Sequence, residues 1–309
     1  MSIDSRWNNH SERLINSYTR SKQKHWNVQK QNKDLEEHFF AIRYCDENRN
    51  KFPTPQSLND SLFNEMEQRF GTNRASTGNR TFFFSKLLGF FKTINNSGIY
   101  KTDAFTNLIE VEENDTQQRN EIISNQAEKF FYYGGLHALT AQNRDAVSSF
   151  EIYPIFFLYE LLDKLAESYP FGKISEFEMI YFVIFREKHS EIEECLEDIL
   201  AYRSSHHRNS SKLEVEQFLK SDLTNSSNSS PPDTRIFALL KLIQFFKVRD
   251  KVLYVDTGKQ NEMKERLRKF LRLKQNNELI MFDEGDPDKY HNLLHSDKDL
   301  FQYLVSESE

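Results

Sequence analysis

The chain has 309 residues, a net charge of -6 at neutral pH, and an aromatic share of 14% that includes 27 phenylalanines. Its length allows two or three domains that each bury a core. No apolar run approaches the roughly 18 residues of a membrane span, and the polar N-terminus lacks the apolar centre of a signal peptide, so we expect a cytoplasmic protein with no membrane partner. Cys45 and Cys195 stand alone, which excludes a zinc finger and a disulfide framework.

The first part of the chain, residues 1–56, is polar and has few apolar anchors, which favours a helical arm. Such an arm can lie along a phosphate backbone or can be a solvated helix, and both interpretations stay open. A helix is predicted from Ser57, with Leu58 and Leu62 on its apolar face and an end at Gly71.

A short motif then occurs twice, 155 residues apart. The first copy, 80–92, reads RTFFFSKLLGFFK, and the second copy, 235–247, reads RIFALLKLIQFFK. Apolar residues in each copy recur at i, i+3, i+4 and i+7, which predicts an amphipathic helix through the motif. So short a repeat can also arise by chance, because protein cores often contain aromatic helices, and this explanation stays open.

Each predicted repeat helix is followed by a β-like run that contains a tyrosine, at 98–100 in the first copy and at 251–254 in the second. The strand-like residues 107–111 are predicted to close the first of these wings. Helix, break and strand in this order are typical of the second half of a winged-helix unit.

The charge of the chain is unevenly distributed. Residues 104–203 contain 8 Lys and Arg against 19 Asp and Glu, whereas residues 235–274 contain 12 against 4. Local potential, and not total charge, attracts phosphates and releases their counterions. The second copy of the motif therefore lies in a basic segment although the chain as a whole is acidic.

Basic residues in and around the two copies are predicted to contact duplex DNA. Lysines are expected at phosphates, and arginines at base edges, because a guanidinium can pair with two acceptors on guanine. The predicted DNA-binding residues are Arg74, Arg80, Lys86, Lys92, Arg235, Lys241, Lys247 and Lys251.

The middle of the chain, 152–202, predicts three helices in helix-turn-helix order. Pro154 stands near the start of the first helix, Ser175 is a predicted N-cap of the second, and the third is the amphipathic segment EIEECLEDILAYR. Because these helices are acidic, we expect a scaffold and not a groove-binding unit.

A flexible linker, NSSNSSPP, is predicted at 225–232. After the second repeat comes a basic amphipathic helix whose expected inward residues are Met263, Leu267, Phe270 and Leu271. Its basic face can follow a phosphate backbone or can be solvated, and the sequence leaves the choice open.

The predicted fold class is mainly α with small β wings, arranged as tandem winged-helix-like DNA-recognition subdomains. The predicted organisation is a polar helical N-terminal arm at 1–56, a first winged-helix-like unit at 57–150, an acidic helical scaffold unit at 151–224, a second basic winged-helix-like unit at 225–275, and an acidic tail or linker at 276–309.

The run IYPIFFLYELLDKLAESYPFGKISEFEMIYFVIF, followed by EIEECLEDILAYR and by DTRIFALLKLIQFFKVRDKVLYVD with a basic helix after it, resembles the recognition half of the AlwI-type family of type IIS restriction and nicking endonucleases. The resemblance covers roughly residues 58–290 and consists in the order and pattern of segments. It implies tandem winged-helix subdomains that read a short asymmetric site in double-stranded DNA. It also implies cleavage outside that site by a C-terminal Mg²⁺-dependent PD-(D/E)xK module.

Family members continue beyond the point that corresponds to Glu309. We therefore expect no cofactor in this chain, and Mg²⁺-dependent hydrolysis by a module absent from it or by a separate nuclease subunit. Within the chain, Asp233, Glu262 and Lys264 match the residue types of the nuclease motif. Glu262 and Lys264, however, fall in a predicted helix, where side chains two residues apart point in different directions. Neither a catalytic residue nor a metal ligand is predicted.

His291 and His295, four residues apart, could present two imidazoles to a metal, but no third strong ligand accompanies them. Two other functions remain open. A winged-helix regulator or plasmid replication initiator would bind a palindromic or repeated target, and a protein-interaction module would leave the basic segments solvated.

Overall fold

The computed structural model describes residues 40–71, 88–93, 99–111, 115–132, 152–168, 172–184, 186, 188–205, 240–250, 252–279 and 287–306. The chain forms two compact units. The central unit consists mainly of Phe131–Pro287, and the split unit combines Arg13–Phe130 with Asp288–Glu307.

Two helices come first in the split unit: α1 at residues 40–48 and α2 at Pro55–Phe70. A capping box starts α2, because the Thr54 hydroxyl accepts a hydrogen bond from the Ser57 amide and the Ser57 hydroxyl accepts one from the Thr54 amide. The helix therefore begins two residues earlier than the sequence predicts. It ends at Gly71, as predicted, in a left-handed conformation with φ 65°.

An antiparallel hairpin follows, with strands β1, Phe91–Thr93, and β2, Ile99–Lys101. Helices α3, Asp103–Glu110, and α4, Thr116–Phe130, come next. The predicted strand at 107–111 is wrong, because residues 107–110 belong to α3. The Thr102 hydroxyl caps this helix by accepting from the Phe105 amide, at 3.3 Å.

The last two described helices, α9 at Pro287–His295 and α10 at Leu300–Ser306, lie in the region that the sequence predicts as an acidic tail. The Asn125 side chain on α4 accepts a hydrogen bond from the Leu300 amide at 3.0 Å and donates one to the Lys298 carbonyl at 3.2 Å. These bonds hold the start of α10 to α4.

Of the three helices predicted in the central unit, the first and the third are confirmed: α5 at Pro154–Ser168, and α7 at Ile192–Ser205. Between them lie strand β3, Lys173–Ser175, and a short helix α6, Glu176–Glu178, that continues as one π-helical turn. Ser175 caps α6 as predicted, in a capping box with Glu178.

A three-stranded antiparallel sheet of order β3-β5-β4 completes the central unit with the basic helix α8, Gln260–Gln275. Strand β4 is Phe246–Arg249, and β5 is Val252–Val255. The Phe270 ring on α8 stacks on Phe156 of α5, with ring centroids 4.1 Å apart. This aromatic contact fixes α8 against the buried helix of the unit.

The predicted fold class, mainly α with small β wings, is confirmed for the described residues, which are largely helical and contain two small antiparallel sheets. None of the helices among them has the length and apolar character needed to span a membrane. The predicted linker at 225–232 lies outside the described residues.

Candidate nucleic-acid interface

The end of the repeated motif forms the start of a β-hairpin in both copies, and not the end of a helix. In the first copy a turn at Leu88–Phe90 leads into β1. In the second copy Leu240 is helical, residues 241–245 form turns, and β4 begins at Phe246. The predicted helix through the whole motif is therefore wrong at its C-terminal part. Gly89, with φ 73°, and the paired phenylalanines favour a turn followed by a strand.

The two hairpins place a lysine and a tyrosine in the same cross-strand relationship. Lys92 lies opposite Tyr100 in the first hairpin, and Lys247 lies opposite Tyr254 in the second. Directly opposite residues project on the same face of an antiparallel pair. Both lysines are exposed and both tyrosines are half-buried. Each hairpin therefore presents one ammonium group beside one phenol.

In both copies the phenylalanine that precedes the lysine is buried, Phe91 in the first hairpin and Phe246 in the second. Because side chains alternate along a strand, burial of this ring directs the following lysine to solvent. The motif FFK thus encodes an exposed lysine in each hairpin. The sequence contains this signal, but the signal can be interpreted only when the segment is known to be a strand.

Arg49 covers the tyrosine of the first hairpin, and the lysine that follows this tyrosine is already paired. The Arg49 guanidinium lies 3.5 Å from the centroid of the Tyr100 ring, and Lys101 Nζ is 2.8 Å from Asp46 Oδ2. No acidic group among the described residues pairs with Lys92. Lys92 is thus available to an external anion, whereas the neighbouring Lys101 already has a carboxylate partner.

The second hairpin differs, because Lys247 Nζ is 2.8 Å from Asp256 Oδ2. The Asp256 carboxylate also accepts a hydrogen bond from the Gly258 amide, at 3.1 Å. The hydrogen bond between the two side chains lowers the pKa of Asp256 and raises the pKa of Lys247. Both groups are therefore charged at neutral pH and largely neutralise each other.

The remaining predicted DNA-binding residues fall into two groups. Lys241 is exposed, in the turns before β4 rather than on the polar face of a helix. The other five lie outside the described residues: Arg74, Arg80, Lys86, Arg235 and Lys251. Their predicted contacts with DNA stay predictions.

A buried polar network, which the sequence did not reveal, holds the turn before β1. The Gln126 side chain donates to the carbonyls of Leu88 and Leu294, at 2.7 Å and 2.6 Å. Thr102 Oγ1 donates to the Gly89 carbonyl at 2.7 Å. Buried carbonyls need such partners. The start of the first hairpin is therefore positioned by helices α3, α4 and α9 of the split unit.

Lys129 extends this network one turn further along α4. Its ammonium donates to Gln126 Oε1 at 2.8 Å and to the Ser296 carbonyl at 2.7 Å, and its side chain has no exposed surface. Burial lowers the pKa of Lys129 to about 7, although Asp299 and Asp297 act in the opposite direction. The ammonium therefore titrates near neutral pH.

Helix α8 carries basic residues of two kinds. Some are held by the protein: Lys264 Nζ is 2.6 Å from Asp163 Oδ1, and the Arg266 guanidinium lies 5.7 Å from the Phe245 ring centroid. Others point to solvent, among them Arg268 and Arg272. Of the predicted inward residues, Met263, Leu267 and Phe270 are buried, but Leu271 is 37% exposed and Leu273 is buried in its place.

The described residues do not fit a nuclease metal site. Among them, no three His, Cys, Asp or Glu side chains are grouped so that they could hold a metal ion. Glu262 and Lys264 both lie on α8. The Glu262 carboxylate accepts a hydrogen bond from Lys259 Nζ. Asp233 lies outside the described residues.

His291 and His295 lie on α9, with nearly parallel rings whose centroids are 5.8 Å apart.

No family model matches the chain, and no curated protein matches it. Among solved structures, the chain is similar to the BpuJ1 endonuclease binding domain in complex with pyrene- and phenanthrene-modified DNA. The TM-score is 0.47 and the identity 13%, over 76% of this chain and 79% of that chain.

Proposed function

We propose that the chain binds double-stranded DNA through its two β-hairpins. One observation carries the proposal, the repeated cross-strand pair of an exposed lysine and a tyrosine, Lys92 with Tyr100 and Lys247 with Tyr254. An ammonium group binds phosphate as a point charge, and a phenol donates a hydrogen bond to a phosphate oxygen. The first hairpin is a two-stranded ribbon, which has the width that the major groove of B-DNA admits, whereas the second hairpin is part of a three-stranded sheet.

The local charge of the chain supports the same proposal. The segment 235–274, which contains the second hairpin and α8, has three times as many basic as acidic residues, with 12 against 4. Such a segment attracts a polyanion although the chain carries a net charge of -6. Within this proposal Arg74, Arg80 and Arg235 are the residues assigned to base edges.

The finer proposal is that the chain is the recognition part of a type IIS restriction endonuclease, with Mg²⁺-dependent cleavage supplied by another module or subunit. It rests on the order of segments over roughly residues 58–290, which resembles the AlwI-type family. In this role the chain reads one short asymmetric site, and it does not hydrolyse DNA by itself.

Selection from a randomised duplex library at two salt concentrations tests both levels of the proposal. The enriched duplex is then incubated with the chain and Mg²⁺. A short asymmetric consensus that stays intact is the expected result. A palindromic or repeated consensus would replace the restriction role with that of a regulator, and absence of enrichment at either salt concentration would overturn DNA binding itself.

A further inference from the structure

Helix α8 leaves one side of its surface to solvent, and the C-terminal half of that side is basic. Arg268 and Arg272 are both exposed, and no acidic group among the described residues pairs with either of them. They lie four residues apart, so that they stand on the same side of the helix, about 6 Å apart along its axis. Lys269 is exposed beside them, and Glu265 is the exposed acidic residue one turn earlier.

The helix is also rigidly supported on its opposite side. There Phe270 stacks on Phe156 at 4.1 Å and meets Tyr153 at 5.1 Å. At the flank, one turn before Arg268, Lys264 is tied to Asp163 of α5 at 2.6 Å. A charged side held in this way loses little conformational freedom when it binds a partner. The exposed cations of α8 are therefore presented by a preorganised element.

We propose that Arg268 and Arg272 bind backbone phosphates of duplex DNA and contribute affinity that does not depend on sequence. This inference rests on the proposed function and extends it from the hairpins to α8. The two guanidinium groups form a charge-complementary surface for a polyanion, and phosphate contacts of this kind position a protein on DNA without reading bases.

The test compares the wild-type chain with the double variant Arg268→Gln/Arg272→Gln in salt-dependent binding measurements. Two duplexes are used, the one enriched by selection and a scrambled one of the same length. The variant should bind both duplexes more weakly by the same factor, roughly tenfold or more at about 0.1 M salt, and its slope of log K against log salt should be smaller by about 2. The ratio of the two affinities should not change.

A matched control is Arg43→Gln/Arg69→Gln, which removes two exposed arginines from helices α1 and α2. Arg69 stands in the last turn of a 16-residue helix, as Arg272 does in α8. The control should keep the wild-type affinity and slope. The single variant Glu265→Gln should act in the opposite direction and tighten binding of both duplexes about twofold, since it removes a repulsive charge.

A cation near the end of a helix also stabilises that helix, so thermal unfolding is followed for every variant. If the double variant does not fold, the single variants Arg268→Gln and Arg272→Gln serve in its place, and each should lower the slope by about 1.

Wild-type affinity and slope in Arg268→Gln/Arg272→Gln, or an equal loss in the control, would overturn the role of α8. A changed affinity ratio would also overturn it, because it would mean that these residues read sequence. If the wild-type chain binds neither duplex, this inference falls together with the proposed function. If Lys92→Gln weakens binding and the α8 variant does not, the inference alone falls.

Discussion

Lys247 and Asp256 form an ion pair at 2.8 Å on the second hairpin, whereas Lys92, at the same position of the first hairpin, has no acidic partner among the described residues. The two copies of the motif therefore share their strand register but not their electrostatics. A phosphate that approaches Lys247 must compete with a carboxylate that is already in place. The first hairpin is expected to contribute more to DNA affinity than the second.

The variant Asp256→Asn should tighten DNA binding, roughly twofold to fivefold, because it releases the charge of Lys247 and removes a repulsive carboxylate. The negative slope of log K against log salt should become steeper, by about 1. Fluorescence anisotropy with a labelled duplex measures both quantities. Unchanged or weaker binding in a folded Asp256→Asn variant would show that the second hairpin does not contact phosphate.

Lys92 and Lys101 provide a matched comparison on one hairpin. Lys92→Gln should weaken binding of selected and scrambled duplexes evenly and lower the salt slope by about 1, because it removes one phosphate contact. Lys101→Gln should have a smaller effect, since Lys101 is already paired with Asp46. The assignment of Lys92 would be contradicted if the two variants lost the same affinity.

The sequence predicts helix ends well where a capping or breaking residue stands beside a clear apolar period. Pro154 at the start of α5, Ser175 as the cap of α6, and Gly71 at the end of α2 are such residues. The strand predicted at 107–111 is wrong, although Thr102 followed by Asp103 is a helix start signal. The cap at Thr102 outweighs the local β-like pattern of these residues.

Substitutions at two glycines test the packing at the start of the first hairpin. Both have positive φ, 73° at Gly89 and 65° at Gly71, so an alanine at either position costs about 1–2 kcal/mol in backbone strain. A Cβ at Gly89 would also lie 2.2 Å from the Leu294 carbonyl oxygen, whereas a Cβ at Gly71 would meet nothing within 4 Å.

Gly89→Ala should therefore destabilise the split unit by about 1–3 kcal/mol more than Gly71→Ala does. Urea unfolding followed by circular dichroism compares the two variants, and both residues report on the same unit. Equal unfolding midpoints for the two variants would mean that the close approach of α9 to the turn does not persist in solution.

The buried Lys129 gives the stability of the split unit a defined pH dependence. Its pKa is about 7 in the folded chain against an ordinary value of 10.5, so the unfolded chain binds more protons between these values. The free energy of unfolding should consequently rise with pH, by about 1.4 kcal/mol per pH unit at most, from pH 7 upward.

The measurement is urea unfolding at several pH values between 7 and 9, for the wild type and for Lys129→Met. The upper limit is set by Cys45, whose pKa burial raises to about 11, because this group opposes the trend above pH 9. The methionine variant should lack most of the rise. The same rise in both chains would assign the pH dependence to another group.

The candidate site was only partly accessible from the sequence. The constant offset of the two motifs identified Lys92 and Lys247 as related positions, and the structure places both on strands with the same cross-strand partner. The ion pair with Asp256 and the bonds from Gln126 depend on how strands and helices meet in three dimensions. Spacing along the chain carries no signal for such contacts.

The most direct test of the account measures duplex affinity over a range of salt concentrations for the wild type and for Lys92→Gln/Lys247→Gln. The wild type should bind with a steep negative slope of log K against log salt, and the double variant should have a lower affinity and a slope whose magnitude is smaller by about 1 to 2. A folded double variant with the affinity and slope of the wild type would contradict DNA binding through the two hairpins.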